Sequence, residues 1–118
     1  MSPPLYQVKA EFFKTLGHPA RIRILELLSH SPRSVGEMLP EVGVEATNLS
    51  QHLAVLRRAG LVNFRKEGST VFYSIASPQV ADLLAVARRI LTEVISGQVA
   101  LLAVLRAASP APVPPAAR

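Results

Sequence analysis

The chain of 118 residues is long enough to form one hydrophobic core, so we expect a single folded domain. It contains no cysteine, which excludes disulfides, thiolate-bound metals and iron–sulfur clusters. The formal net charge of +5 suits a polyanionic partner such as nucleic acid or an anionic membrane.

Two helices are predicted at the start of the chain. Apolar residues at helical spacing predict a first helix over residues 5–16, and Gly17 interrupts this pattern. A second helix is predicted from Pro19 to about Ser29, with His18 in position to cap it. Its broad apolar face indicates a buried central helix.

A helix-turn-helix pattern follows. Ser34 and Glu37 have the spacing of a capping box, in which each side chain satisfies the other residue's backbone N–H, and they predict the start of a short third helix. Pro40 lacks an N–H and is expected to weaken or end that helix. A fourth helix is predicted from about Glu45 to Ala59, with a narrow leucine stripe on one face and polar residues on the other.

The pattern then changes to that of a two-stranded wing. Residues 62–66 and 70–75 predict two strands joined by a turn at residues 67–69. A last helix with a long apolar stripe is predicted from Pro78 to about Arg106, and Gly97 is expected to bend or end it. Residues 109–118 are too rich in proline to fold and are predicted to form a disordered tail, so residues 1–108 are the expected domain.

The polar face of the fourth helix is the main candidate site. The major groove of DNA admits a helix whose outer face carries hydrogen-bonding groups. For any single position, a solvated helix face is an equally good interpretation, but the ordered set is more specific than its parts. The candidates for reading bases are Thr47, Asn48, Ser50 and Gln51; the phosphate candidates are Arg57, Arg58, Arg65 and Lys66; and His52 is either a packing or a phosphate-contact residue.

Four stretches resemble the ArsR/SmtB-type bacterial repressors. They are residues 13–25, 34–37, 48–62 and 65–74, and the resemblance extends in order over about residues 8–95. It implies a winged helix-turn-helix fold, mainly α with a small β-hairpin, of about five helices plus a two-stranded wing. It also implies a homodimer formed through the N- and C-terminal helices, and repression from a double-stranded operator with inverted symmetry.

The chain departs from the metal-sensing members of that family. Those members bind metal through cysteines on the third helix, or through carboxylates and histidines on the last helix. Here the third helix has no thiol, and the last helix offers only Asp82 and Glu93. We therefore expect no metal site and no cofactor. Glu45 is a further departure, because its charge would repel a nearby phosphate.

Other interpretations stay open at this point. The last helix could pair with a different protein and make the chain an interaction module, and the basic surface could bind an anionic membrane. We expect the aromatic residues to lie in the core or an interface, and we expect no enzyme activity, since no catalytic arrangement of residues is present. The effector could be a small organic ligand, a protein or none.

We expect the protein to be cytoplasmic. Its first residues show no basic stretch followed by an apolar run, so no signal peptide is expected. No charge-free apolar stretch reaches about 18 residues, so no membrane span is expected.

Overall fold

The computed structural model describes residues 2–108; the predicted disordered tail at residues 109–118 lies outside them. Helix α1 (Leu5–Leu16) follows Pro4, and helix α2 (Pro19–Leu28) begins with proline at its first position. The prediction that His18 caps α2 is confirmed, because its Nδ1 accepts a hydrogen bond from the Ala20 N–H at 3.1 Å.

Helix α3 (Val35–Val42) starts at the predicted capping box. Ser34 Oγ accepts from the Glu37 N–H at 3.2 Å, and Glu37 Oε1 accepts from the Ser34 N–H at 2.9 Å. Pro40 was expected to weaken or end this helix, and it does not end it, since α3 continues for two residues beyond it. Proline removes a single backbone hydrogen bond there, while Met38 remains fully buried and anchors the helix.

Helix α4 (Ala46–Arg58) follows the turn at Gly43, whose φ of 76° lies in the left-handed region that glycine adopts readily. Glu45 occupies the N-cap position, and its side chain makes no capping hydrogen bond. The helix-turn-helix is therefore formed by α3 and α4, as predicted.

The sheet has three antiparallel strands where two were predicted. These are β1 (Arg33–Ser34), β2 (Val62–Glu67) and β3 (Thr70–Ile75), in the spatial order β1-β3-β2. Strand β1 pairs with Tyr73 and Phe72. Its two residues are too few to show an alternating pattern, so this strand was not predicted. The hairpin turn is tighter than predicted, because Glu67 already pairs with Thr70.

One apolar cluster positions these elements. Its members come from α1, α2, α3, α4, β2 and the loop before it, and the first turn of the last helix. The fully buried side chains are Ile24, Leu25, Met38, Leu49, Leu53, Leu56 and Val62. Since three of these leucines belong to α4, the core fixes which face of α4 remains exposed.

Gly97 was expected to bend or end the last helix; helix α5 (Pro78–Ala108) does not end there, because it is continuous through this glycine. One glycine costs only about 1 kcal/mol of helix propensity, which a helix of 31 residues can absorb. The chain divides into two units, one ending at Leu84 and the other starting at Ala85, and the α5 side chains from Ala85 to Ala108 are exposed.

By length and composition alone, α5 could cross a membrane. No membrane span was predicted, because no apolar stretch of about 18 residues in the sequence is free of charge. Long apolar helices of soluble assemblies have the same properties, so length and composition do not decide the environment of α5.

Candidate nucleic-acid interface

The outer face of α4 is polar because its inner face is fixed by the core. Leu49, Leu53 and Leu56 are at most 1% exposed and lie along one side of the helix. All exposed positions of α4 are polar, charged or alanine, and no bulky apolar side chain prevents close approach of another surface. Of the predicted site residues, this exposed set includes Thr47, Asn48, Ser50, Gln51, Arg57 and Arg58.

Glu45 leaves the first turn of α4 without a side-chain cap. Its carboxylate makes no hydrogen bond to the helix N–H groups, so those donors have no side-chain partner at this end. The negative charge is favourable next to the positive end of the helix dipole, but it opposes an approaching phosphate.

Arg57 is held at the junction of α4 and the wing. Its guanidinium carbon lies 4.5 Å from the centroid of the Phe64 ring, which is the geometry of a cation–π contact. Phe64 is 46% exposed and its ring centroid lies 6.1 Å from that of Tyr73. The sequence analysis assigned Phe64 to the core or an interface and did not foresee that it orients an arginine.

Arg65 is already paired within the wing. Its Nε donates to Glu67 Oε2 at 2.7 Å, and both side chains are more than half exposed. The Arg65 guanidinium also lies 5.6 Å from the Phe72 ring centroid. Glu67 therefore offsets part of the positive charge predicted for the wing. Residues two apart on a strand share a face, so this pairing had a signal in the sequence.

Lys66 lies on the opposite face of β2 from Arg65, because side chains alternate along a strand. It is exposed and sits across from Val71 of β3. The two predicted wing cations thus point to different sides of the sheet, so one flat partner surface cannot contact both of them.

His52 differs from the other candidates on α4 because its imidazole is engaged with α2. Arg21 Nε donates to His52 Nδ1 at 3.2 Å, and the His52 and His18 ring centroids are 4.3 Å apart. Burial lowers the pKa of His52, and the neighbouring charges of His18 and Arg21 lower this pKa further. Arg21 and His52 are 31 positions apart, so no local pattern could have revealed their contact.

Within residues 2–108, no group of three or more histidine, aspartate or glutamate side chains is arranged to hold a metal ion. The candidate site therefore consists of the polar face of α4, the oriented Arg57 at its end and the charged hairpin of β2 and β3. Such a surface can contact a polyanion through hydrogen bonds and charge.

Comparisons with known proteins agree with this geometry. Residues 16–63 match the model of a helix-turn-helix domain family. The chain is 63% identical over 107 residues to the HTH-type transcriptional regulator Rv0081 of Mycobacterium tuberculosis, covering 90% of this chain and 94% of Rv0081. The crystal structure of Rv0081 superimposes with a TM-score of 0.77, covering 83% of this chain and 99% of that one.

More distant solved structures have the same fold. The homodimeric winged helix-turn-helix DNA-binding domain of Mb0332 from Mycobacterium bovis, a possible ArsR-family regulator, is 32% identical with a TM-score of 0.70, covering 79% of this chain and 86% of that one. The transcriptional repressor BigR of Xylella fastidiosa is 33% identical with a TM-score of 0.67, covering 72% of this chain and 87% of that one.

Relatives of this chain act on transcription in both directions. The transcriptional activator HlyU of Vibrio cholerae is 42% identical over 77 residues, which cover 65% of this chain and 71% of HlyU. These relatives are regulators of transcription and not enzymes. The chain belongs to the ArsR/SmtB-type family of winged helix-turn-helix transcriptional regulators, which bind DNA.

Proposed function

We propose that this protein is a cytoplasmic transcriptional repressor that binds, as a homodimer, an operator with inverted symmetry. The observation that carries the proposal is the exposed polar face of α4, which the buried leucines on its other side hold in place. Residues 1–108 would carry both DNA binding and dimerisation.

The contacts divide between bases and phosphates. Thr47 and Gln51 lie on the side of α4 opposite the leucine stripe and are the first candidates for base edges, with Asn48 and Ser50 beside them. Glutamine can make two hydrogen bonds to adenine in the major groove. The phosphate candidates are Arg57, Arg58, Arg65 and Lys66. His52 joins them only if its imidazole leaves Arg21.

A second copy of the chain is the proposed cover for the exposed apolar side chains. In α1, Leu5, Tyr6 and Phe13 are each more than half exposed. In the second unit, the α5 side chains from Ala85 onward are exposed, and many of them are apolar. The homodimeric Mb0332 domain supports the choice of a second copy over a membrane. Two recognition helices would then meet half-sites about 10 base pairs, or a multiple of that, apart.

The signal is proposed to be something other than a thiol-bound metal, since the chain has no cysteine. A small organic molecule, a protein or no ligand at all stays open. Arg88 and Arg89 on α5 are exposed and form either a solvated pair, as is usual for charges on a helix, or a contact for an acidic effector. The proposal of repression rests on the family resemblance. A reporter gene placed behind the operator decides it, because expression falls with a repressor and rises with an activator.

The test of DNA binding is fluorescence anisotropy with DNA from upstream of the gene for this protein. Scrambled DNA of the same length is the competitor, and a salt titration counts the phosphates that are neutralised. We expect specific binding with two chains per site. Equal, weak affinity for both DNAs would leave only charge attraction and would refute the proposal. Co-sedimentation with anionic vesicles, measured in parallel, tests the alternative that the basic surface binds a membrane.

A further inference from the structure

Arg21 connects three helices at one point behind the recognition helix. It belongs to α2, its Nη1 donates to the Thr15 carbonyl of α1 at 3.0 Å, and its Nε donates to His52 Nδ1 of α4 at 3.2 Å. Arg21 and His52 are both half-buried. Because the N–H groups of one guanidinium are fixed in a plane, these two bonds together define where His52 sits relative to the end of α1.

The Arg21–His52 bond requires one particular form of the imidazole. An Nδ1 that accepts a hydrogen bond carries no proton, so the ring proton lies on Nε2. His18 is in the same state, because its Nδ1 accepts from the Ala20 N–H and caps α2. Protonation of either ring converts its Nδ1 into a donor and abolishes the bond. For His52 it also places a positive charge against Arg21.

We propose that Arg21 is a positioning residue for the recognition helix, acting through a hydrogen bond that only neutral His52 accepts, so that acidification weakens DNA binding. This inference rests on the proposed DNA-binding function. It assigns Arg21 and His52 a task distinct from touching DNA, and it makes the protein sensitive to pH near neutrality.

The two groups that contact the His52 ring both favour its neutral form. The two groups against the ring are His18 and Arg21, from the segment that begins α2. The carboxylates of neighbouring elements are engaged elsewhere: Glu26 of α2 and Glu41 of α3 with Arg23, Glu37 of α3 with Ser34, and Glu67 of β2 with Arg65. The remaining charged groups of those elements are Lys66 on β2, Arg57 and Arg58 on α4, and Glu45 at its N-cap.

The sign of the pH effect follows. Burial lowers the pKa of His52 below its usual value of 6.5, and the neighbouring His18 and Arg21 side chains lower it further. The neutral ring therefore stabilises the folded arrangement above that value, and the stabilisation is lost as the pH falls through the lowered pKa. If His52 instead contacted a phosphate, the DNA charge would raise the pKa and acidification would strengthen binding. The two roles predict opposite slopes.

The experiment measures the affinity for operator DNA by anisotropy from about pH 7.5 to about pH 5.5, the range in which histidine titrates. For the wild type we expect the affinity to fall with acidification, by at most about tenfold per pH unit for one linked proton. His52→Asn keeps an acceptor oxygen close to the position of Nδ1 but cannot be protonated. Whatever its affinity at neutral pH, we expect this variant to lose most of the dependence of affinity on pH.

His30→Asn is the matched control. His30 is exposed beyond the end of α2, and its side chain makes no hydrogen bond within the described part of the chain, so the slope should be unchanged. A wild-type affinity that is constant or rises on acidification would overturn the proposal, as would a His52→Asn variant that keeps the full slope. Absence of specific binding already at neutral pH would overturn the proposed function instead.

A second measurement needs neither a variant nor DNA. Long-range proton–nitrogen NMR spectra of the protein distinguish the two neutral forms of each imidazole from the charged form. We expect His52 to carry its proton on Nε2 at neutral pH. A proton on Nδ1 of His52 would refute the hydrogen bond on which the inference depends, whatever the variants do.

Discussion

Glu67→Gln is expected to strengthen DNA binding, because the wing cation Arg65 is paired with this carboxylate. The pair is exposed on both sides, and exposed pairs contribute only about 0.2–1 kcal/mol to folding, so the variant should stay folded. With a carboxylate roughly 6 Å from a contacted phosphate, the repulsion in water is about 0.7 kcal/mol. Its removal corresponds to an affinity gain of about threefold.

The salt dependence gives an independent estimate. If Arg65 then neutralises one additional phosphate, the slope of log affinity against log salt should steepen by up to about 0.9. Arg65→Ala should act in the other direction, weakening binding to all sequences and flattening the slope by about one unit. Both variants are measured by anisotropy at several salt concentrations on operator and scrambled DNA.

Glu26→Gln is the control for the charge change. Glu26 forms an exposed pair with Arg23 on α2 at 3.6 Å, so the substitution removes the same charge from the same kind of pair outside α4 and the wing. We expect little change in affinity. If Glu67→Gln weakens DNA binding, or raises the affinity no more than Glu26→Gln does, the wing does not lie against the DNA backbone. The assignment of Arg65 as a phosphate contact is then refuted.

Four further substitutions test the rest of the surface. Gln51→Ala should lower the binding free energy by about 1–3 kcal/mol at one operator position and leave the affinity for scrambled DNA unchanged, as measured by competition with single-base operator variants. An equal loss of affinity for both DNAs would show that Gln51 does not read a base. Glu45→Ser should add a helix cap worth about 1 kcal/mol, measured by thermal melting, and should also raise the affinity for DNA, measured by anisotropy. If neither stability nor affinity rises, the assignment of the α4 start is contradicted. Phe64→Leu removes a cation–π contact of roughly 0.5–1 kcal/mol that holds Arg57, and should therefore weaken DNA binding by up to about fivefold. An unchanged affinity would show that Arg57 does not need the Phe64 ring to bind DNA. Leu56→Ala should lower the free energy of unfolding by about 2–5 kcal/mol in urea at fixed protein concentration, and a loss well below this would mean that the α4 stripe is not core.

Local signals predicted most of the helices and strands. The capping box at Ser34 and Glu37 indicated the start of α3, and the leucine period of α4 indicated which of its faces is buried. These features depend on residues three or four apart, which a sequence displays directly. The hairpin was equally visible because its strands are joined by one short turn.

Features that depend on distant partners were missed. Strand β1 exists because Arg33 and Ser34 pair with residues almost forty positions later, and two residues alone show no pattern. The contact of Arg21 with His52 and the stacking of Arg57 on Phe64 likewise join different elements. The candidate DNA-binding residues were therefore predictable as a set, whereas the contacts that orient them were not.

The short length of β1 has a consequence for how the protein can diverge. Because β1 pairs only with Phe72 and Tyr73, the wing beyond them is a two-stranded ribbon that ends at Gly68 and Ser69. Insertions, deletions or new charges in that ribbon leave the buried leucines of α4 untouched. Descendants of one ancestor could thus retune the general strength of DNA attachment at the wing tip while keeping the same base preference, so that affinity and target choice evolve separately.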